Sequence, residues 1–151
     1  SGKIRIVPVV VINYPEAARW LRQAAKQGNL AAMNSLGFLY QMGFGVERNQ
    51  EAAVQWYRQA AEQGEAKAQA NLGLMYLDGA GVAGDLVQAY KWFKLSAERG
   101  DVMGRHYYED QVFLAHLTTN QIAEANRLAA EFDAQTIKKN FRRHTNAVTA
   151  H

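Results

Sequence analysis

Cysteine is absent from the 151 residues. That excludes a disulfide framework, a thiolate metal site and a cysteine nucleophile, and leaves any zinc to His and carboxylates alone. Long apolar runs are missing too. The longest, Ile6 to Ile12, includes Pro8 and falls far short of the ~20 residues a membrane-spanning helix needs. Positive charge is scarce where it would matter most for nucleic acid. The net charge of +3 is uneven: Lys138, Lys139, Arg142 and Arg143 all follow Asp133, the last acid, so residues 1–137 carry 13 basic against 14 acidic side chains. Such a body lacks the basic stripe that phosphate neutralisation requires, which argues against nucleic acid as its partner. No basic-then-apolar signal pattern follows Ser1-Gly2, and the missing initiator Met reads as a trimmed or mature form.

What is present is a repeat. Trp20, Trp56 and Trp92 mark a period of 36 residues, and QAAKQG ending at Gly28 matches QAAEQG at Gly64 and LSAERG at Gly100. Ala32, Leu36, Gly37 and Tyr40 recur as Ala68, Leu72, Gly73 and Tyr76, and Gly43-Phe44-Gly45-Val46 recurs as Gly79-Ala80-Gly81-Val82. Residues 29–64 and 65–100 share 12 identities in 36 positions. Within each unit Ala32, Leu36, Leu39 and Tyr40 lie in one stripe at helical spacing, which predicts a first helix, A. Gly37 and Gly73 beside that stripe cost about 1 kcal/mol against Ala, so the close approach of a second helix is the expected reason for them. Asn13, Asn49 and Asp85 are N-cap residues for that second helix, B, and Glu16 and Gln88 complete capping boxes in two copies. Ala17, Trp20 and Ala24, with Ala53, Trp56 and Ala60, are the expected buried face, so the tryptophans read as a core ladder and not a cofactor box. Gly28, Gly64 and Gly100 close the B helices. A lone helix pair cannot bury its apolar faces, so the units are expected to stack.

With these residues in view, the chain resembles Sel1-like repeats, relatives of tetratricopeptide repeats with a longer unit and a Gly-x-Gly-Val turn. The resemblance implies an all-α, right-handed α/α solenoid with a C-terminal capping helix. Its expected parts are an N-terminal arm (1–12), helix B of a partial first repeat (13–28), two full repeats (29–64 and 65–100), a degenerate repeat helix (101–117), a capping helix (118–142) and a tail (143–151). Glu109 stands where the degenerate unit would need its packing glycine, and Thr118 with Gln121 forms another capping box. Many bacterial members of the family end this way, which implies a bacterial protein of the periplasm, envelope or cytoplasm. The β-branched stretch Ile4 to Ile12 is expected to cover the naked first helix B.

The resemblance also implies a non-catalytic interaction module without a cofactor, its A helices lining a concave surface for a protein or peptide partner. With Ala32, Leu36 and Tyr40 inward, Asn34, Phe38 and Gln41 lie opposite. The 36-residue offset then adds Ala70, Leu74 and Leu77, and next His106, Asp110 and Phe113. Phe38, Leu74 and Leu77 would form an apolar strip flanked by Asn34, Gln41, His106 and Asp110, the make-up of a partner site. The competing arrangement buries Phe38 and Leu74 between repeats. Two further readings are weaker. His106, Glu109 and Asp110 could serve a metal or acid-base site, but His116 falls about 280° round the helix from His106 and cannot join them. Lys138 to Arg143 could tether the chain to an anionic membrane or nucleic acid. Gly79 to Gly84 resembles a nucleotide-binding loop in composition only, with no strand before it.

Overall fold

Asn13 caps the first helix by accepting a hydrogen bond from the Glu16 backbone N–H at 3.1 Å, and Pro15 sits in the first turn of α1 (Tyr14–Lys26), where its missing N–H costs nothing. The computed structural model describes residues 11–149. All but Val11 and Ile12 of the arm 1–12 lies outside the described residues. From α1 the chain alternates: α2 (Leu30–Met42), α3 (Gln50–Ala61), α4 (Ala66–Asp78), α5 (Leu86–Glu98), α6 (Val102–Glu109), the short α7 (Gln111–Leu114) and the long α8 (Thr119–Thr149). Helices α2, α4 and α6 are the A series, and α1, α3 and α5 are the B series. Among the described residues there is no strand.

Both series are capped in step. Asn49 and Asp85 accept from Ala52 N–H (2.9 Å) and Gln88 N–H (3.0 Å) at the starts of B helices. Asn29, Glu65 and Asp101 do the same for the A helices, accepting from Ala32 (2.9 Å), Ala68 (2.5 Å) and Gly104 (2.7 Å). Each cap satisfies one N–H that the helix cannot. Thr118 and Gln121 form a full capping box, the threonine hydroxyl accepting from Gln121 N–H at 3.2 Å while the glutamine oxygen accepts from Thr118 N–H at 2.9 Å.

Two close approaches set the spacing of the stack. Within a repeat, a Cβ on Gly37 would lie 2.7 Å from the Tyr57 ring and one on Gly73 would lie 2.6 Å from Phe93, so the missing side chains are notches for those rings. Between repeats, a Cβ on Gly81 would come within 2.4 Å of the Gln50 backbone, and one on Gly45 within 2.2 Å of Tyr14. The Gly-x-Gly turn is therefore where one unit rests on the start of the preceding B helix.

The tryptophan ladder is core at Trp92, borders the core at Trp56 and leaves it at Trp20. Trp92 is buried, Trp56 is half-buried, and Trp20 is 59% exposed with the Arg19 guanidinium 5.7 Å from its ring. The next position holds the centre: Tyr57 and Phe93 are fully buried, seated in the glycine notches, and while Ala53 and Ala60 of α3 are buried as expected, in α1 the buried alanines are Ala18 and Ala25 in place of Ala17 and Ala24. One cluster joins Leu36, Tyr57, Leu72, Met75, Trp92 and Leu95, with Phe132 of α8 against it. A second joins Tyr90, Phe93, Phe113 and Ala125 at the C-terminal end.

The chain closes differently from a repeat. Asp110 is extended (φ −67°, ψ 113°), ends α6 and caps α7, with its Oδ1 accepting from Val112 N–H at 2.9 Å. Helix α8 packs on α5 through Ala129, the edge-on Phe132–Trp92 contact (5.3 Å) and the Arg99–Asp133 ion pair (2.6 Å). Expected to stop near 142, it continues to Thr149, because no glycine or proline lies between 119 and 149 to end it.

Candidate functional site

Stacking places the A helices side by side, so their solvent faces form one surface. Asn34 on α2 and Asn71 on α4 meet there, Asn71 Nδ2 donating to Asn34 Oδ1 at 2.8 Å. Lys67 precedes Asn71 by one turn on α4, and α6 contributes Val102, Met103 and His106. Together they line an open groove of about 770 Å³, with Gly100 and Asp101 at its end. Lys67 and His106 are exposed and Val102 is 82% exposed, while Met103 and both asparagines are half-buried. The Asp101 carboxylate accepts Gly104 N–H at 2.7 Å and lies 3.2 Å from the Ser96 hydroxyl, so its oxygens are held at the start of α6. Lys67 has no acidic partner among the described residues.

The predicted site residues divide among four places. Asn34 and His106 line this groove. Phe38, one turn beyond Asn34, is 45% exposed and edge-on to Phe44 at 6.1 Å, while Phe44 contacts Tyr14 at 4.9 Å. Gln41 turns toward the core and accepts the Tyr57 hydroxyl at 2.7 Å. Leu74 and Leu77 are half-buried and pack against the second apolar cluster. Leu77 and Asp110 instead line a separate cavity of about 300 Å³ with Leu86, Tyr107, Val112 and Phe113. Ala70 is fully buried.

His106 and Asp110 thus face different cavities, and Asp110 is committed to capping α7. Among the described residues no three His, Asp or Glu side chains gather as a metal site. No helix of the described residues is long and apolar enough to cross a membrane. Sequence reasoning missed Lys67 and Asn71. Their repeat equivalents are Ala31 and Ser35 in one unit and Met103 and Tyr107 in the next, so the period carries no hint of them.

The fold and groove define an α/α-solenoid repeat protein. Sel1 repeat matches cover residues 6–29, 30–65 and 66–101, and the chain belongs to the Sel1 repeat family. A comparison with curated proteins finds no match. Among solved structures, the chain is similar to c5321, a protective antigen of uropathogenic Escherichia coli with an SLR fold. The TM-score is 0.76 at 32% identity, over 87% of this chain and 28% of that one. It is also similar to a Sel1 repeat protein from Oxalobacter formigenes, with TM-score 0.60 and 39% identity over 63% of this chain and 71% of that one. The chain therefore spans little more than a quarter of the E. coli antigen. Sel1 repeats generally form protein-interaction modules and are typically non-catalytic scaffolds.

Proposed function

We propose that this chain is a non-catalytic docking module that takes a protein or peptide partner on the concave face of α2, α4 and α6. The observation that carries the reading is the groove of about 770 Å³ between Asn34, Lys67, Asn71 and His106. Its volume lies within the ~300–1,000 Å³ range of ligand sites. The amide pair uses one acceptor and one donor internally, leaving the Asn34 NH₂, the Asn71 oxygen and one Asn71 N–H for a partner. Those groups match the alternating N–H and C=O of an extended peptide. Exposed Val102 offers an apolar contact and Lys67 a free cation. Helices anchored by notches and caps hold these groups in place before binding, which lowers the ordering cost of association.

A photo-crosslinking residue placed at Val102, and separately at exposed Gln55 on α3, tests this in lysate of the source organism. A protein adduct formed from position 102, absent from position 55 and reduced at least tenfold by Lys67→Ala with Asn71→Ala, is the expected result. Equal adducts at both positions, or adducts indifferent to the double substitution, would reject the groove.

A further inference from the structure

The last half of α8 belongs neither to the core nor to the groove. The Arg99–Asp133 pair ties its middle to α5, and residues 134–149 continue as helix for about 24 Å at 1.5 Å per residue. On this overhang Ile137 is 69% and Phe141 is 70% exposed, one turn apart. At 100° per residue their stripe lies roughly 130° round the helix from the Ala125, Ala129 and Phe132 line that faces the solenoid, so the body does not cover it. Beside and behind the stripe stand Lys138, Lys139, Arg142 and Arg143, which with Gln135 and Asn146 border a cleft of about 380 Å³. None of the four cations has an acidic partner among the described residues, and no acid follows Asp133.

We propose that residues 134–149 are an interfacial helix that lays Ile137 and Phe141 into an anionic lipid surface and holds its headgroups with Lys138 and Arg142. A helix with one apolar and one basic side suits the headgroup–acyl boundary, where hydrocarbon and negative charge lie together. Lys138 and Arg142 sit roughly 80° and 120° from the centre of the stripe, within reach of headgroups for side chains that extend their stems along the surface. Lys139 and Arg143 lie further round and contribute to long-range attraction. A second copy is the poorer occupant, because pairing the stripes brings together eight cations with no acid to offset them. Nucleic acid makes no use of the apolar pair, and the rest of the chain, with 13 basic against 14 acidic side chains through residue 137, adds no positive field.

The test is cosedimentation of the whole chain with phosphatidylcholine vesicles, with and without phosphatidylglycerol. Two variants shown by circular dichroism to keep the wild-type fold accompany it: Ile137→Ser with Phe141→Ser, and Lys138→Gln with Arg142→Gln. Binding only to the anionic vesicles, weakened at least tenfold in each variant and weakened by salt, is expected, since each cation near such a surface contributes roughly a fivefold gain. Equal binding to neutral vesicles, or none to anionic ones, overturns the proposal. Tight binding to heparin with vesicle binding unaffected by the serine substitutions makes the helix a polyanion site. A dimer that dissociates on Phe141→Ser makes a second copy the occupant. None of these outcomes touches the groove, whose crosslinking test reads out separately.

Discussion

Replacing Gly73 by alanine separates two physical effects that act in opposite directions. In an exposed helix the change is worth about 1 kcal/mol of added stability, because glycine loses more backbone freedom on folding. Here the new methyl would stand 2.6 and 2.7 Å from two carbons of the Phe93 ring, where ordinary carbon contacts are about 3.5–4.0 Å. The ring has nowhere to go. Phe93 is fully buried, stacked on Tyr107 at 4.9 Å and edge-on to Phe113 at 5.6 Å. An overlap of about 1 Å against a hemmed ring belongs at the upper end of the ~1–3 kcal/mol range for overpacking. Subtracting the propensity gain leaves a net loss of about 2 kcal/mol. For a chain of this length that lowers Tm by about 4–8 °C. Urea unfolding followed by circular dichroism should show a lower midpoint with an unchanged slope. Phe93→Leu alone costs about 1 kcal/mol or more, and in the double variant the shorter side chain accepts the added methyl, so the two losses should fall short of additive by about 1–2 kcal/mol. A rise in Tm for Gly73→Ala, or strict additivity, would refute the notch.

Gly81→Ala should cost more, about 3 kcal/mol or above by thermal unfolding, because it combines a φ of +68° with a 2.4 Å approach to the Gln50 backbone, which cannot swing aside. Alkali should unfold the protein through its buried phenols. Burial pushes the Tyr57 hydroxyl well above its usual range, and burial with the Tyr108 hydrogen bond pushes Tyr90 up to about 12. Raised folded pKa values mean that their contribution is complete below pH 10 and is lost as pH rises toward 12 and beyond. Half-buried Lys91, its pKa lowered by desolvation, works in the opposite direction and offsets part of this loss; with two phenols against one amine, a pH titration of Tm should still fall above pH 10, and Tyr57→Phe should flatten the fall. Phe132→Ala removes the ring that sits against Trp92 and, with Asp133→Asn, should release α8 from α5. Hydrogen exchange would then rise across residues 119–133 while α2 to α5 keep their protection, and uniform loss of protection would show that α8 is integral to the stack.

The fold was legible because its requirements recur. Every unit needs caps, a closing glycine and an apolar stripe, and each of these is written at the 36-residue offset. Trp20 misled because size and apolarity alone do not say which residue faces in. The glycine notches say so, and Gly37 with Tyr57 and Gly73 with Phe93 both stand 20 residues apart. A helical glycine with an aromatic at constant separation is a signal that the period contained and that the apolar pattern concealed.

The groove was less legible for a reason built into the architecture. Positions that pack against neighbouring units must keep the same shape in each copy, so identities between repeats trace the core. Positions on the groove side carry no such requirement, and there the copies diverge: Ala31, Lys67 and Met103 occupy one register, and Ser35, Asn71 and Tyr107 another. Nor do equivalent residues touch. Asn34 bonds to Asn71, 37 residues away, while its true equivalent, Ala70, is buried. Projecting one face through a fixed offset therefore joined Asn34 to Leu74 and Leu77, which pack against the second apolar cluster. In such a solenoid the repeat identifies the framework, and the departures from it, Lys67, Asn71 and His106, are where a partner would be distinguished.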